Sequence, residues 1–452
     1  MILAAAISAQ TSSSRTKISP IDRFLVLGVA ALFLWGTLGR RVELPEQSPW
    51  LDAGLGVLFA IWVLGLVTAQ RAPAIPWLFG LLVLGILGYG WISVFNAEWT
   101  HVWGRGFHPA VHTLGISWLP GSKDQDASRS AMIHFTAIFG GVLVVVDLAR
   151  SRRLRRQLLG WLALTGLAVA MAGVYQKASG TVMLWNYDKP IEAKTFFAAF
   201  DYHGNSATFL NLCWPASFLL WLRALSSEER APLRLALWSC STLFTLAAVF
   251  ANTSKVGHVM AVVIVVILLI AYRSQIRSAF SGRAVGSTAV VGVILVVAAG
   301  ALFISLSAEI SLGRWEAFDQ SAEARLDSYK TCWEGILPNS GITGYGPGTF
   351  HTAFVDFQAS GEEAAISFTY RAHQDYLQLM IEWGYVGAGI WAVLLGGALL
   401  RRNKTDDRDF YASGLKIMLF GVLAHAAVDF PFQVPALQWP ILALTGILWA
   451  KT

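Results

Sequence analysis

A chain of 452 residues that is 55% hydrophobic and only 14% charged, with a mean hydropathy of +0.54, is built around a bilayer, since a soluble domain carries about 25% charged residues. Nineteen tryptophans and 26 phenylalanines fit that class, because aromatic rings gather at membrane interfaces. The net charge of +6 implies no nucleic-acid partner, because the basic residues fall in short loops of one parity, and the three cysteines, Cys213, Cys240 and Cys332, have neither disulfide nor metal-ligand spacing.

Met1–Ala9 is apolar but short and follows no positive region, so it is not read as a cleaved signal peptide. The first span follows Arg23 and is expected to act as a signal anchor. A helix needs roughly 20 mostly apolar residues to cross a bilayer. On that measure the sequence predicts about twelve spans: Phe24–Leu38, Leu51–Val67, Pro76–Phe95, Met132–Leu148, Leu158–Tyr175, Ser206–Leu222, Leu235–Phe250, Gly257–Tyr272, Ala284–Leu306, Leu379–Leu400, Leu415–Val428 and Leu437–Ala450.

The loops orient these spans. Of 34 Lys and Arg residues, 21 lie in the N-terminal segment, the C-terminal segment and alternate short loops, among them Arg71, Arg150, Arg153, Arg223, Arg273, Arg401 and Lys416. The positive-inside rule then predicts both termini in the cytoplasm. It puts Asn96–Ser130, Gln176–Asn205, Ala251–Val256 and the long hydrophilic stretch Ser307–Gln378 outside. The chain divides accordingly into residues 1–306 with about nine transmembrane helices, an extracytoplasmic loop over 307–378, and 379–452 with about three more helices. Within the loop, Leu326, Tyr329 and Trp333 recur at helical spacing and predict an amphipathic helix that Pro338 ends. No Walker loop, HExxH or GxGxxG followed by a βαβ pattern is present, so neither ATP nor a nucleotide sugar has a visible site.

The outside segments carry the residue types that chemistry needs. Arg325 either reaches lipid headgroups or offers a planar guanidinium fork to a diphosphate. Gly344-Tyr345-Gly346-Pro347-Gly348-Thr349-Phe350 predicts a tight turn, and such a turn can also aim its amides at an anion. Arg371-Ala372-His373-Gln374-Asp375-Tyr376-Leu377-Gln378 leads into a span, with His373 expected on one helical face with Leu377. An imidazole there is either an interfacial residue bonded to a carbonyl or a base. Lys255, in a very short outside turn, either snorkels or supplies a point charge for a phosphate. His425 and Asp429 are four residues apart and either pin a helix or belong to a site. His134 and His258 are lone histidines inside spans and read as structural.

Several of these segments resemble the O-antigen ligase and polymerase superfamily. The resemblance rests on Arg325 and Trp333, the Gly344–Phe350 turn, the run Ala372-His373-Gln374-Asp375-Tyr376-Leu377-Gln378, and Glu382-Trp383-Gly384. Weaker matches are Leu119-Pro120-Gly121-Ser122, the stretch around His203-Gly204-Asn205, Ser254-Lys255 and Asp429-Phe430-Pro431-Phe432-Gln433. The sequence departs from the family pattern at Gln374, where asparagine is usual, and at Lys255, where arginine is usual.

The resemblance implies an all-α polytopic membrane protein of GT-C-like architecture, with short helices in one large extracytoplasmic loop. It implies a glycosyltransferase that works without nucleotide, metal or other cofactor. The donor implied is a glycan on undecaprenyl diphosphate, and the acceptor is a hydroxyl on lipid A core, on another glycan or on a protein. By position, His373 takes the catalytic role, and Arg325, Lys255 and Arg371 bind the donor diphosphate. Asn205, His203, Tyr345, Asp375 and Asp429 are supporting candidates. The location implied is a bacterial inner membrane with the active site on the periplasmic side. A polymerase of lipid-linked repeat units shares donor and mechanism. A transporter of lipid-linked glycans is the rival class, disfavoured because polar sites of transporters sit near the midplane of related halves.

Overall fold

The computed structural model describes residues 18–39, 48–101, 110–112, 115–180, 196–226, 231–280, 318–359, 371–401 and 410–450. Its elements are nearly all helical: α1 Pro20–Leu38, α2 Pro49–Thr68, α3 Trp77–Phe95, α4 Gln125–Leu148, α5 Arg152–Ser179, α6 His203–Leu225, α7 Pro232–Ala251 and α8 Lys255–Ala271. There follow α9 Arg273–Phe280, α10 Phe318–Lys330, α11 Phe350–Ala359, α12 Asp375–Leu400, α13 Phe410–Ala426 and α14 Pro435–Trp449. A ribbon of two three-residue strands, Trp99–His101 and Ala110–His112, interrupts the α3–α4 connection, with Thr100 opposite Val111.

Among the described residues eight helices are long and apolar enough to cross a membrane: α1 to α7 and α12. A ninth is counted if α8 and α9 form one span broken by a 71° bend. The predicted spans near the C-terminus form the shorter apolar helices α13 and α14. The predicted span Ala284–Leu306 lies outside the described residues. The multiple apolar helices make this a multi-pass membrane protein.

The short length of α14 has a packing explanation. All 15 of its residues are buried, and at 1.5 Å per residue it is only about 22 Å long. A helix that is apolar on every face and enclosed by protein need not match the lipid thickness. It packs against α4, α12, α13 and α1. The other deeply buried helix is α6, enclosed by α5, α7, α8 and α13. By contrast, Trp50, Leu64, Trp77, Phe95 and Leu233 point outward and are exposed, as expected of side chains that face lipid rather than water.

One charge cluster ties together the helix ends that the basic loops assign to the same face. Asp147, at the end of α4, is 0% exposed. It accepts from Trp62 Nε1 at 2.8 Å, from Arg71 Nη1 at 2.9 Å and from the Ala74 amide at 2.8 Å. Arg150 Nη1 lies 3.0 Å away. Arg150 also reaches Asp22 at 3.2 Å, and Asp22 closes a capping box with Ser19 at the start of α1. The cluster therefore joins α1, α2, the α2–α3 turn and α4. Asp147→Asn keeps the shape but removes the charge that balances two guanidinium groups. We expect it to cost about 3 kcal/mol of unfolding free energy, the usual scale for breaking a buried pair from one side. Denaturant unfolding of detergent-purified protein measures this, and a loss under about 0.5 kcal/mol is the contrary result.

Candidate active site

The site is assembled where the first turn of α6, the loop helix α10, the segment before α12 and the α13–α14 connection meet. Tyr202, the residue before α6, is its hub. Its ring stacks on Phe430 at 5.3 Å and lies edge-on to His373 at 5.8 Å, with His203 at 4.5 Å. Gly204 follows, and a Cβ there would collide with Asp429 Oδ2 and with the Tyr202 ring. The absence of a side chain is what lets α6 approach the carboxylate.

Arg325 reaches this hub from α10. Its Nη2 donates to Tyr202 Oη at 2.9 Å and its Nη1 to the Val428 carbonyl at 3.1 Å. Burial works against its charge, but Tyr202, Asp429 and Tyr329 more than offset this and hold its pKa above the ordinary value. Arg325 belongs to the inner face of its helix, with Ser328, Cys332 and Ile336, which are buried. A π-helical turn over Thr331–Ile336 keeps that face aligned, and Leu337–Asn339 adds one more turn that includes Pro338. Leu326 and Trp333, the stripe prominent in the sequence, face outward at 62% and 59% exposure. Cys332 packs with Phe350, Phe354, Leu377 and Ile381 in a small core under the loop, and burial pushes its thiol up to about 12.

His373 is not on a helical face as the sequence predicts. Gln374 is the N-cap of α12 and its side chain accepts from the Leu377 amide. His373 therefore precedes the helix, in the left-handed region with φ of 53°, a conformation uncommon for a residue with a Cβ. Tyr329, whose phenol burial pushes up to about 12, donates to the His373 carbonyl at 2.7 Å. Phe430 packs edge-on against the imidazole at 4.6 Å. The turn thus aims the ring at Asp429, whose Oδ1 is 3.6 Å from His373 Nδ1.

Asp429 Oδ2 is also 3.6 Å from His425 Nε2, and His425 Nδ1 lies 2.9 Å from Thr208 Oγ1 on α6. Burial alone raises the Asp429 carboxyl, but the two imidazoles 3.6 Å from its oxygens and the nearby Arg325 guanidinium outweigh it and hold the group below the usual carboxylate range. Asp375 supports the same junction. Its amide donates to the Asp429 carbonyl at 3.2 Å, and its carboxylate accepts from the Phe432 amide at 2.8 Å and from Gln433 Nε2 at 3.0 Å.

The glycine turn does present amides to an acidic side chain, and that side chain is the chain's own Glu382. The Gly348 and Phe350 amides donate to its two carboxylate oxygens at 3.1 and 3.3 Å. Gln378 donates to it at 2.9 Å and accepts from the Ala372 amide at 3.1 Å. Gly384 breaks α12 with φ of 62° and ψ of −177°. The break frees the carbonyls of Ile381 and Glu382, which accept from the Tyr345 and Gly346 amides at 2.9 and 2.8 Å. Gly344, with φ of 77°, packs backbone to backbone against this break. Tyr345 itself faces the α3–α4 loop, with Lys123 Nζ 4.5 Å from its ring centre. It is a scaffold residue of the turn rather than a neighbour of His373. Arg371 is partly exposed and lies within electrostatic reach of Glu382.

Lys255 opens α8. Ser254 caps that helix, accepting from the Gly257 amide at 3.1 Å. The preceding Asn252 accepts from the Ser254 amide at 3.0 Å and donates to Ser206 Oγ at 2.7 Å. The Lys255 turn therefore docks on the same α6 turn that holds Asn205 and His203, which are both buried. One side of that turn meets Asp429 and Tyr202, and the other meets the Lys255 connection.

Sequence reasoning missed Tyr202 as the hub, Tyr329 as the residue fixing His373, and Glu382 as the group that fills the glycine turn. Tyr202 and Glu382 carried a signal, since each sits beside or inside a motif already singled out. Among the described residues no group of three His, Cys, Asp or Glu side chains is placed to hold a metal ion.

The charge on Asp429 has a pH signature. A carboxyl held below its unfolded value of about 3.9 stabilises the fold above that value and loses the contribution as pH falls through the folded pKa. Asp429→Asn is expected to lower stability at pH 7 and to differ less and less from the native chain below roughly pH 4. Thermal unfolding in detergent across that range checks it, and a gap that stays constant to pH 2 is the contrary result.

Residues 240–392 match the family model described as O-antigen ligase. This segment contains Lys255, Arg325, the glycine turn, Arg371, His373, Asp375 and Glu382. No curated protein matches the chain. The matched segment bears out the resemblance to the O-antigen ligase and polymerase superfamily read from the loop motifs.

Proposed function

We propose that the protein transfers a glycan from a polyprenyl diphosphate carrier, undecaprenyl diphosphate in a bacterium, to an acceptor hydroxyl on the extracytoplasmic face, as an O-antigen ligase does. The observation that carries the reading is that Arg325 and His373 reach the same Tyr202 ring and flank the same Asp429 carboxylate. A cation for a leaving diphosphate and a base for an incoming hydroxyl are the two groups such a transfer requires. The glycosyl-diphosphate bond is already activated, so no nucleotide is consumed.

In the reaction, the acceptor oxygen forms a bond to the anomeric carbon and the bond from that carbon to the diphosphate oxygen breaks with its electron pair. The hydroxyl proton passes to Nε2 of His373, since Nδ1 faces Asp429. The Asp429 carboxylate stabilises the imidazolium that forms. The charge on the departing lipid diphosphate is met by Arg325, with Lys255 and Arg371 as further cations. Lys255 supplies a point charge where the family's usual arginine supplies a fork. Ligase and polymerase share these steps and differ in the acceptor.

General-base assistance is worth about 10²–10⁴-fold. His373→Ala is therefore expected to lose transfer by that factor while the protein still inserts in the membrane. Arg325→Ala is expected to lose more than Arg325→Lys, and Lys255→Arg to retain activity. Reconstitution with undecaprenyl-diphosphate glycan and defined acceptors measures this. Transfer to lipid A core identifies a ligase, and longer lipid-linked glycan a polymerase. Translocation of intact donor without bond exchange defeats the enzymatic reading.

The orientation has its own test. Single cysteines at Lys330 and Arg153, both exposed, are expected to react with an impermeant maleimide from the outside and only after permeabilisation, respectively. The reverse pattern overturns the proposed periplasmic side.

A further inference from the structure

A buried polar chain runs from the start of α2 to the Asp429 junction, and its first members have no part in the steps above. His134, inside α4, is 2% exposed. Its Nδ1 lies 2.5 Å from Asp52 Oδ1 on α2, and its Nε2 lies 2.7 Å from Gln438 Oε1 on α14. Gln438 Nε2 in turn donates to the Phe432 carbonyl at 2.6 Å. That bond fixes the orientation of the amide, because the reversed amide would set its oxygen against the Phe432 carbonyl, acceptor against acceptor. The imidazole must therefore donate from Nε2.

The chain continues through the turn Pro431–Gln433. The Phe432 amide and the Gln433 side chain grip the Asp375 carboxylate from one end, while Gln438 holds the Phe432 carbonyl from the other. Asp375 then donates its own amide to the Asp429 carbonyl. The turn that carries Asp429 and Phe430 is thus clamped between α12 and α14, and His134 sets the clamp on the α14 side.

We infer that the Asp52–His134 pair, acting through the Gln438 amide and the Pro431–Gln433 turn, positions the Asp429 carboxylate against His373. The catalytic consequence rests on the proposed function, while the structural linkage does not. Without the Nε2–H donor, Gln438 Oε1 is left buried without its hydrogen bond. The amide then rotates to find another, and the Phe432 carbonyl loses its partner. The turn loosens at one end, and the Asp429–His373 contact loosens with it.

The test uses the full chain in detergent and in proteoliposomes. His134→Phe keeps a ring but removes both nitrogens. It is expected to lower kcat about 10- to 100-fold, the scale of a misplaced catalytic group, with the donor KM within about threefold. His134→Gln, whose amide reaches the Nε2 position, is expected to recover most of that loss. Combined with Asp429→Asn, His134→Phe is expected to add no further loss, because residues acting through one another do not multiply. Losses that multiply, or an unchanged kcat in His134→Phe, overturn the proposal.

A readout independent of transfer is the rate at which diethyl pyrocarbonate modifies His373, followed by peptide mass spectrometry. It is expected to change by at least about threefold in His134→Phe and in Gln438→Met, and to stay unchanged in Asp147→Asn, a destabilising substitution at the other end of the bundle. An unchanged rate in both variants overturns the linkage even if the native chain transfers no glycan, and that last result alone defeats only the proposed function. Gln438→Met keeps the test decisive if His134→Phe fails to fold.

Discussion

The site depends on holding one buried carboxylate ionised between two imidazoles. Asp429 is 2% exposed, and a charge so placed is tolerated only when hydrogen bonds and opposite charges compensate its lost hydration. The compensation comes from four separate parts of the chain: His373 before α12, His425 on α13, Arg325 on α10, and α6, where Gly204 lacks a side chain and Thr208 holds His425. No two of these elements are neighbours in sequence except across long loops or whole helices. The carboxylate therefore acts as a fastener for this end of the bundle as well as a partner for His373.

The second constraint is the break in α12. A continuous helix uses its own carbonyls, so nothing would be left to receive the glycine turn. Gly384 interrupts the ladder, and the carbonyls of Ile381 and Glu382 become acceptors for Tyr345 and Gly346. The loop is thereby joined to the membrane-spanning bundle by backbone bonds and not only by side-chain packing. The small core of Cys332, Phe350, Phe354, Leu377 and Ile381 then closes the space between α10, α11 and α12. These bonds fix α10 relative to α12, and so fix Arg325 relative to His373.

Much of this was legible in the sequence because the bilayer simplifies the problem. Apolar runs give the spans, and basic loops assign helix ends to common faces, a grouping that the cluster of Asp22, Arg71, Asp147 and Arg150 matches. The order of the loop motifs pointed to the family. What stayed hidden was whatever depends on contacts far apart in the chain. His134 looks solitary because its partners are 82 and 304 residues away. His373 looked like part of a helical face because residue spacing does not reveal that Gln374 caps the helix and leaves the histidine in a left-handed turn. Periodicity also cannot separate lipid contact from burial in protein, and α14 is apolar on every face because it is enclosed by other helices.

That Glu382 already occupies the amides of the glycine turn bears on how the proposed anionic donor would be recognised. A nest of backbone donors left empty would be a ready phosphate cradle, rigid and insensitive to ionic strength. Here Glu382 fills it, so under the proposed function recognition of the donor falls to guanidinium and ammonium side chains. Such groups attract at a distance and are screened by salt. Under the proposed function, donor capture then works by long-range attraction onto a framework already set, and the ordering cost is met when the chain folds rather than at each turnover.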